Sequence, residues 1–197
     1  MNALLAILSL VSTALCLAAL VRLHVLPTGY RPISNAVSDY GVGPYKRYYA
    51  VQTSAIAVAA LFLAAALWRE THPAPLLIVA LLLVFAAARL LIPAYPTDLD
   101  RSRPTRTGRM HVLLAALAFG SIAWAAAALP SHVDWPGLHS VLVILGWVNA
   151  GSAIACGLCM SSLLHTATEP FFGLVERIFY TSMLAWFAIV AIHLLAS

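Results

Sequence analysis

Charge is what this sequence lacks. Only 9% of its 197 residues are Asp, Glu, Lys or Arg, against roughly a quarter in a soluble domain. So few charges cannot cover a water-exposed surface, and the surrounding solvent is therefore mostly lipid. Cysteine is scarce as well. Cys16, Cys156 and Cys159 all lie in apolar runs, which excludes an extracellular disulfide framework and fits small packing residues. The basic excess is slight. Lys and Arg number 11 and Asp and Glu 7, a net +4, too small and too dispersed for a nucleic-acid footprint. The opening stretch MNALLAILSLVSTALCLAAL has no Lys or Arg. It lacks the basic n-region of a secretory signal and is longer than the usual apolar core of one, so it reads as a first spanning helix. Internal repeats, low-complexity tracts and domain boundaries are missing too, which leaves a single transmembrane domain over residues 1–197.

What the sequence has instead is apolar length. Hydrophobic residues make up 62%, and a membrane-spanning helix needs about 20 of them in succession. Segments 3–23, 48–68, 74–94, 110–129, 138–164 and 171–195 qualify. The predicted fold is an all-α integral membrane protein, a six-transmembrane-helix bundle. Pro27, Pro73, Pro96, Pro130 and Pro170 fall at or just beyond the apolar runs, where a missing N–H does least harm. Pro93 lies near the end of the third run, where a kink is expected.

Charge is distributed unevenly between the two ends of this bundle. Of the 11 Lys and Arg residues, all but Arg69 fall at one end, together with Asp39, Asp98, Asp100, Glu169 and Glu176. Lys and Arg are retained on the cytoplasmic side of bilayers. The long loops 24–47 and 95–109 are therefore expected in the cytoplasm and both termini outside, in a bacterial inner (plasma) membrane. A basic end also suits anionic lipid headgroups.

Polar residues inside spans are costly and mark functional candidates. Gln52, Arg89, Glu176 and Arg177 enter three different spans at a similar depth, roughly 8–9 Å below the basic interface at 1.5 Å per residue. His111 joins them from the start of the fourth. An ion pair between Arg89 and Glu176, or a ligand shared by them, is expected; Arg177 has the alternative of snorkelling to headgroups. Two loops cap this layer. In the first, Gly41, Gly43 and Pro44 fix a turn beside Ser34, Asn35, Ser38, Asp39 and Tyr40. In the second, Asp98 and His111 flank a basic run. Asp39, Tyr40, Asp98 and His111 are expected to line one pocket above Gln52, Arg89, Glu176 and Arg177. Asp39, Asp98 and His111 suit general acid–base work or a divalent cation, although their spacing demands neither, and no metal ligand or cofactor is assigned.

Other features read mainly as packing. Gly146, Ala150, Ala153, Gly157 and Ser161 share one face of the fifth helix, where small residues permit close helix approach. Cys156 and Cys159 are spaced for a shared thiol role but have no third ligand in sequence. Trp124, Trp135, Trp147 and Trp186 read as interfacial anchors or packing. The seven His residues raise a tetrapyrrole reading, with His139 and His193 able to pair at the outer end and His24, His72, His132 and His165 placed near interfaces.

The stretch Ser38-Asp39-Tyr40-Gly41-Val42-Gly43-Pro44-Tyr45, the stretch Tyr95-Pro96-Thr97-Asp98 and the helix-opening His111 resemble the prokaryotic membrane family called domain of unknown function 998. Pro32-Ile33-Ser34 with Gly41 and Pro44 faintly resembles the DRAM/Frag1/Sfk1-like membrane proteins. The first resemblance implies a six-span fold and a membrane location but no reaction; the second faintly favours a lipid-facing role. Met110 and Val112 flank His111 where the first family's pattern leads one to expect Gly or Leu.

Three readings of function follow. The first is a polar pocket at the cytoplasmic leaflet that binds a lipid or amphiphile, or a subunit of a membrane assembly with a membrane-protein partner or a second copy of itself. The second is an intramembrane enzyme using Asp39, Asp98, His111 and Glu176. The third is a haem- or pigment-associated accessory subunit.

Overall fold

The computed structural model describes residues 2–71, 73–100, 103–160 and 169–196. His72, Ser102, Ser161 and His165 lie outside the described residues. Six helices are long and apolar enough to cross a membrane. They are α1 (Asn2–Val25), α2 (Lys46–Glu70), α3 (Leu76–Leu91), α4 (Arg106–Ala128), α5 (His139–Met160) and α6 (Phe172–Ala196). No strand occurs among the described residues.

Two boundaries differ from the hydropathy reading, and each has a local cause. Helix α4 begins at Arg106, before the apolar run that starts at 110, because Thr105 caps it. The Thr105 hydroxyl accepts from Gly108 N at 3.0 Å, an N-cap of the usual kind. Helix α3 ends at Leu91 and continues only as a 3-10 turn, Ile92–Ala94. Pro93 ends the α-helical ladder there instead of kinking it, since proline has no N–H to donate.

Each helix packs on its neighbours in sequence, and α6 returns to α1, closing a ring. Helices α2 and α6 also touch each other and are the most buried spans; α5 is the least. The α2 face at the centre is alanine-rich, with Ala55, Ala57, Ala59, Ala60, Ala64 and Ala66 buried. Side chains this small let helix backbones approach where lipid supplies no hydrophobic drive. The Ser9 hydroxyl donates to Ala59 O at 3.0 Å across the α1–α2 contact. Trp186, Phe187 and Phe85 fill the remaining core. Trp186 is fully buried, so of its two expected roles it takes packing.

The first long loop folds back over the bundle and docks on the start of α6. Leu174 N donates to Ile33 O at 2.9 Å, which satisfies one of the free N–H groups of a helix N-terminus. A side chain at Gly173 would collide with Asn35 O and Pro32 O, so glycine admits the loop. The turn before α2 needs Gly43, whose φ of 104° lies in the left-handed region.

Helices α4 and α5 touch at one end and part at the other. At Gly146 an added Cβ would lie 2.8 Å from Ala126 O and Ala127 Cα. At Gly151 and Gly157, nearer the basic end, nothing lies within 4 Å of an added Cβ. Among the described residues the small-residue face of α5 meets the α4 backbone at Gly146, while Ala150, Ala153 and Gly157 line open space, Ala153 with one side against the core. The expectation of close packing along the whole stripe is corrected accordingly.

Candidate functional site

The space between α4 and α5 is a cavity of about 620 Å³, within the range of small-molecule sites. Its side walls are small or apolar: Ala115, Ala116, Gly120, Ala123 and Ala127 on α4, and Ala150, Ala153, Ile154, Gly157 and Met160 on α5. Trp124 and Ile154 stand at its edge, 59% and 64% exposed. The slot thus opens sideways, toward the surface that faces lipid in a bilayer. From His111 to Ala127 it follows α4 for roughly 24 Å at 1.5 Å per residue.

Its head is polar. Arg89, His111, Glu176, Tyr49, Tyr180 and Ser38 line the basic end of the same cavity. Arg89 is 1% exposed. Its Nη2 donates to Tyr180 OH at 2.8 Å and to Gln52 Oε1 at 3.2 Å, both neutral acceptors. Its Nε is buried with no partner among the described residues. Glu176 is 3% exposed, and its Oε2 accepts from Val37 N at 2.5 Å. Among the described residues the two charges form no ion pair with each other. The expected Arg89–Glu176 bridge is therefore not formed: Arg89 is drawn to α2 and α6 by Gln52 and Tyr180, and Glu176 is taken by the backbone of the first loop. Both charges nonetheless face one cavity.

His111 is 4% exposed and its Nδ1 lies 2.7 Å from Tyr95 O. A carbonyl only accepts, so Nδ1 carries the proton and Nε2 keeps its lone pair in the neutral ring.

The other residues proposed from sequence have structural partners elsewhere. The Asp39 carboxylate turns back on its own loop, accepting from Ala36 N at 2.9 Å and Asn35 Nδ2 at 3.2 Å. Tyr40 is buried edge-on against His24 and Tyr30, with ring centroids 5.5 Å apart in both pairs. Burial raises the Tyr30 phenol above its ordinary pKa, with Asp39 adding to the shift. Asp98 accepts from Thr105 N at 2.7 Å and from the Thr105 hydroxyl at 2.8 Å, placing its charge at the positive end of the α4 dipole. Gln52 sits behind Arg89 and donates to Cys16 Sγ at 3.3 Å. Asp39, Tyr40, Asp98 and His111 thus do not line one pocket: of the four, only His111 reaches the slot, while Asp98 lines a separate recess of about 220 Å³ with Thr97 and Arg109. The physical reason is that each loop consumes its own carboxylate in holding its turn or cap. Among the described residues neither Asp39 nor Asp98 hydrogen-bonds to His111 or Glu176.

Arg177 does not snorkel. Its Nε donates to His24 Nε2 at 2.7 Å, and its Nη1 donates to Asn35 O and Gly173 O, both at 2.8 Å. Its Nη2 reaches Tyr40 OH at 3.4 Å. It is the clamp between α1, the first loop and α6. His24 holds its ring for this contact with Nδ1 at 2.7 Å from Leu20 O.

The remaining candidates are packing groups. Cys156 and Cys159 are buried with Ala36 and Phe172, and no cluster of three metal-ligating side chains occurs among the described residues. His193 lies against Trp135, ring centroids 4.1 Å apart, and not against His139. His132 Nδ1 lies 2.9 Å from Ala128 O. The residues missed from sequence are Tyr49 and Tyr180; Ser38, named there with the first loop, does line the slot. Tyr180 carried a signal, since it stands one helical turn from Glu176 on the same face.

Searches of curated proteins and of solved structures return no match. A family described as "Protein of unknown function (DUF998)" matches over residues 10–193. With nearly the whole length covered and the six-helix architecture in place, the chain belongs to that family.

Proposed function

We propose that this protein binds one membrane amphiphile, with its polar head at Arg89, His111 and Glu176 and one chain in the slot between α4 and α5. One observation carries this reading: two buried side chains of opposite charge face a single cavity and leave each other unpaired. A charged side chain at membrane depth costs roughly 2.5–3.5 kcal/mol on insertion scales, and a polar head that pairs with both groups offsets part of that cost. The lateral opening suits a ligand that arrives through the bilayer and leaves a second chain in it. The slot's length is most of the ~30 Å hydrocarbon core, enough for one extended chain. The positive-inside rule supports a cytoplasmic position for the basic end, since Arg69 alone of the Lys and Arg residues falls at the other.

The test is native mass spectrometry of protein purified in mild detergent, wild type beside Gly120→Leu. Gly120 lines the slot and has nothing within 4 Å of an added Cβ, so a larger side chain there starts in open space. The wild type is expected to retain one amphiphile and the variant to lose it. Equal retention by both would sink the proposal.

A further inference from the structure

Resting on the amphiphile reading above, we infer that the head of the slot recognises a zwitterionic phospholipid headgroup with a primary ammonium, its phosphate on Arg89 and its ammonium on Glu176. The argument begins with charge balance. The buried head holds one guanidinium and one carboxylate. An anionic headgroup satisfies Arg89 and leaves Glu176 facing a like charge; a cationic amphiphile does the reverse. Only a head that carries both signs pairs both groups and leaves the site neutral, and an uncompensated buried charge is the costly alternative.

Placement agrees. Tyr180 fixes the Arg89 guanidinium through its hydroxyl and stands one turn along α6 from Glu176. Both charges therefore line the same end of the slot without bridging each other, which leaves room between them for a phosphate and an ammonium. Donor chemistry is also specific. Tyr180 and Gln52 both take Arg89 Nη2, and Nε has no partner among the described residues, so the guanidinium keeps donor capacity for a phosphate oxygen. The acceptors lining the same cavity are the Glu176 carboxylate, with one oxygen already held by Val37 N, and the His111 Nε2 lone pair. A primary ammonium supplies N–H donors to both. A trimethylammonium group has none to give.

The experiment is a competition on the full-length protein in detergent, read by native mass spectrometry. It uses phosphatidylethanolamine, phosphatidylcholine and phosphatidylglycerol with identical acyl chains. Wild type is expected to hold phosphatidylethanolamine over each of the others by about tenfold, the scale of one charge-assisted hydrogen bond. Glu176→Gln keeps an acceptor for Val37 N but removes the charge; it is expected to bring the ethanolamine-to-choline ratio within about twofold while total lipid binding persists. The three-lipid comparison on wild type needs no variant, so a poorly folding Glu176→Gln leaves the inference open to refutation. Equal binding of the three lipids, or a preference for phosphatidylglycerol, overturns the headgroup assignment and leaves the slot reading standing. Folded protein that holds none of them overturns both. Displacement of bound lipid by equimolar water-soluble glycerophosphoethanolamine assigns the site to a soluble zwitterion and overturns the lipid source.

Discussion

Two glycines on the same helix should respond in opposite ways to the same substitution. Gly146→Leu places a Cβ 2.8 Å from Ala126 O and Ala127 Cα. Both are backbone atoms of α4 and cannot rotate away, so the helices must separate. Overpacking of this kind costs about 1–3 kcal/mol. The gain in helix propensity over glycine, about 1 kcal/mol at most, offsets only part of that, and the longer leucine side chain adds to the clash. The net loss is about 1–2 kcal/mol, or roughly 2–8 °C in melting temperature for a chain of this size. The Cβ of Gly157→Leu meets nothing within 4 Å. The variant keeps the propensity gain and should leave the melting temperature unchanged or raised, while emptying the slot of ligand. The assay is thermal unfolding in detergent, with and without added phospholipid. Lipid should raise the melting temperature of wild type and leave that of Gly157→Leu where it was. The reasoning fails if Gly157→Leu destabilises as much as Gly146→Leu, or if added lipid stabilises it as strongly as wild type.

Arg177→Ala removes the clamp on His24, Asn35 O and Gly173 O. The cost should be about 2–4 kcal/mol, since several bonds to a charged donor are lost together. Hydrogen exchange should accelerate over residues 31–41, and unchanged protection there would contradict the clamp. For orientation, Leu99→Cys offers an exposed thiol in the second long loop, against a background of three buried native cysteines. In intact cells an impermeant thiol reagent should spare it and label Ser131→Cys at the opposite end; the reverse pattern would invert the topology.

The spans were legible because each is an unbroken apolar run, and nothing in the fold competes with that signal. The start of α4 was not, because Arg106, Thr107, Gly108 and Arg109 are polar. The helix begins there through the Thr105 cap, which Asp98 holds in place from outside the helix. The polar layer was legible as a depth. Counting residues from a helix end gives the height of Arg89 and Glu176 but not the direction each faces around its helix. Opposite charges at equal height therefore suggested a pair, whereas Gln52 and Tyr180 claim Arg89 from the side. Asp39 and Asp98 misled for a related reason. A loop carboxylate looks the same in sequence whether it awaits a ligand or satisfies a backbone N–H three residues away.

The contact at Gly146 makes α5 a lever. Its fulcrum is the backbone touch with α4, and its long arm carries Gly157 about 16 Å away at 1.5 Å per residue. A swing of about 10° at the fulcrum displaces that far point by ~3 Å across the same arm, close to the thickness added by a single methyl group on either wall. If α5 pivots at that contact, a force on the short connection between α4 and α5 changes the width of the slot at its opposite end, while Arg89 and Glu176 stay held by α2, α6 and the docked loop.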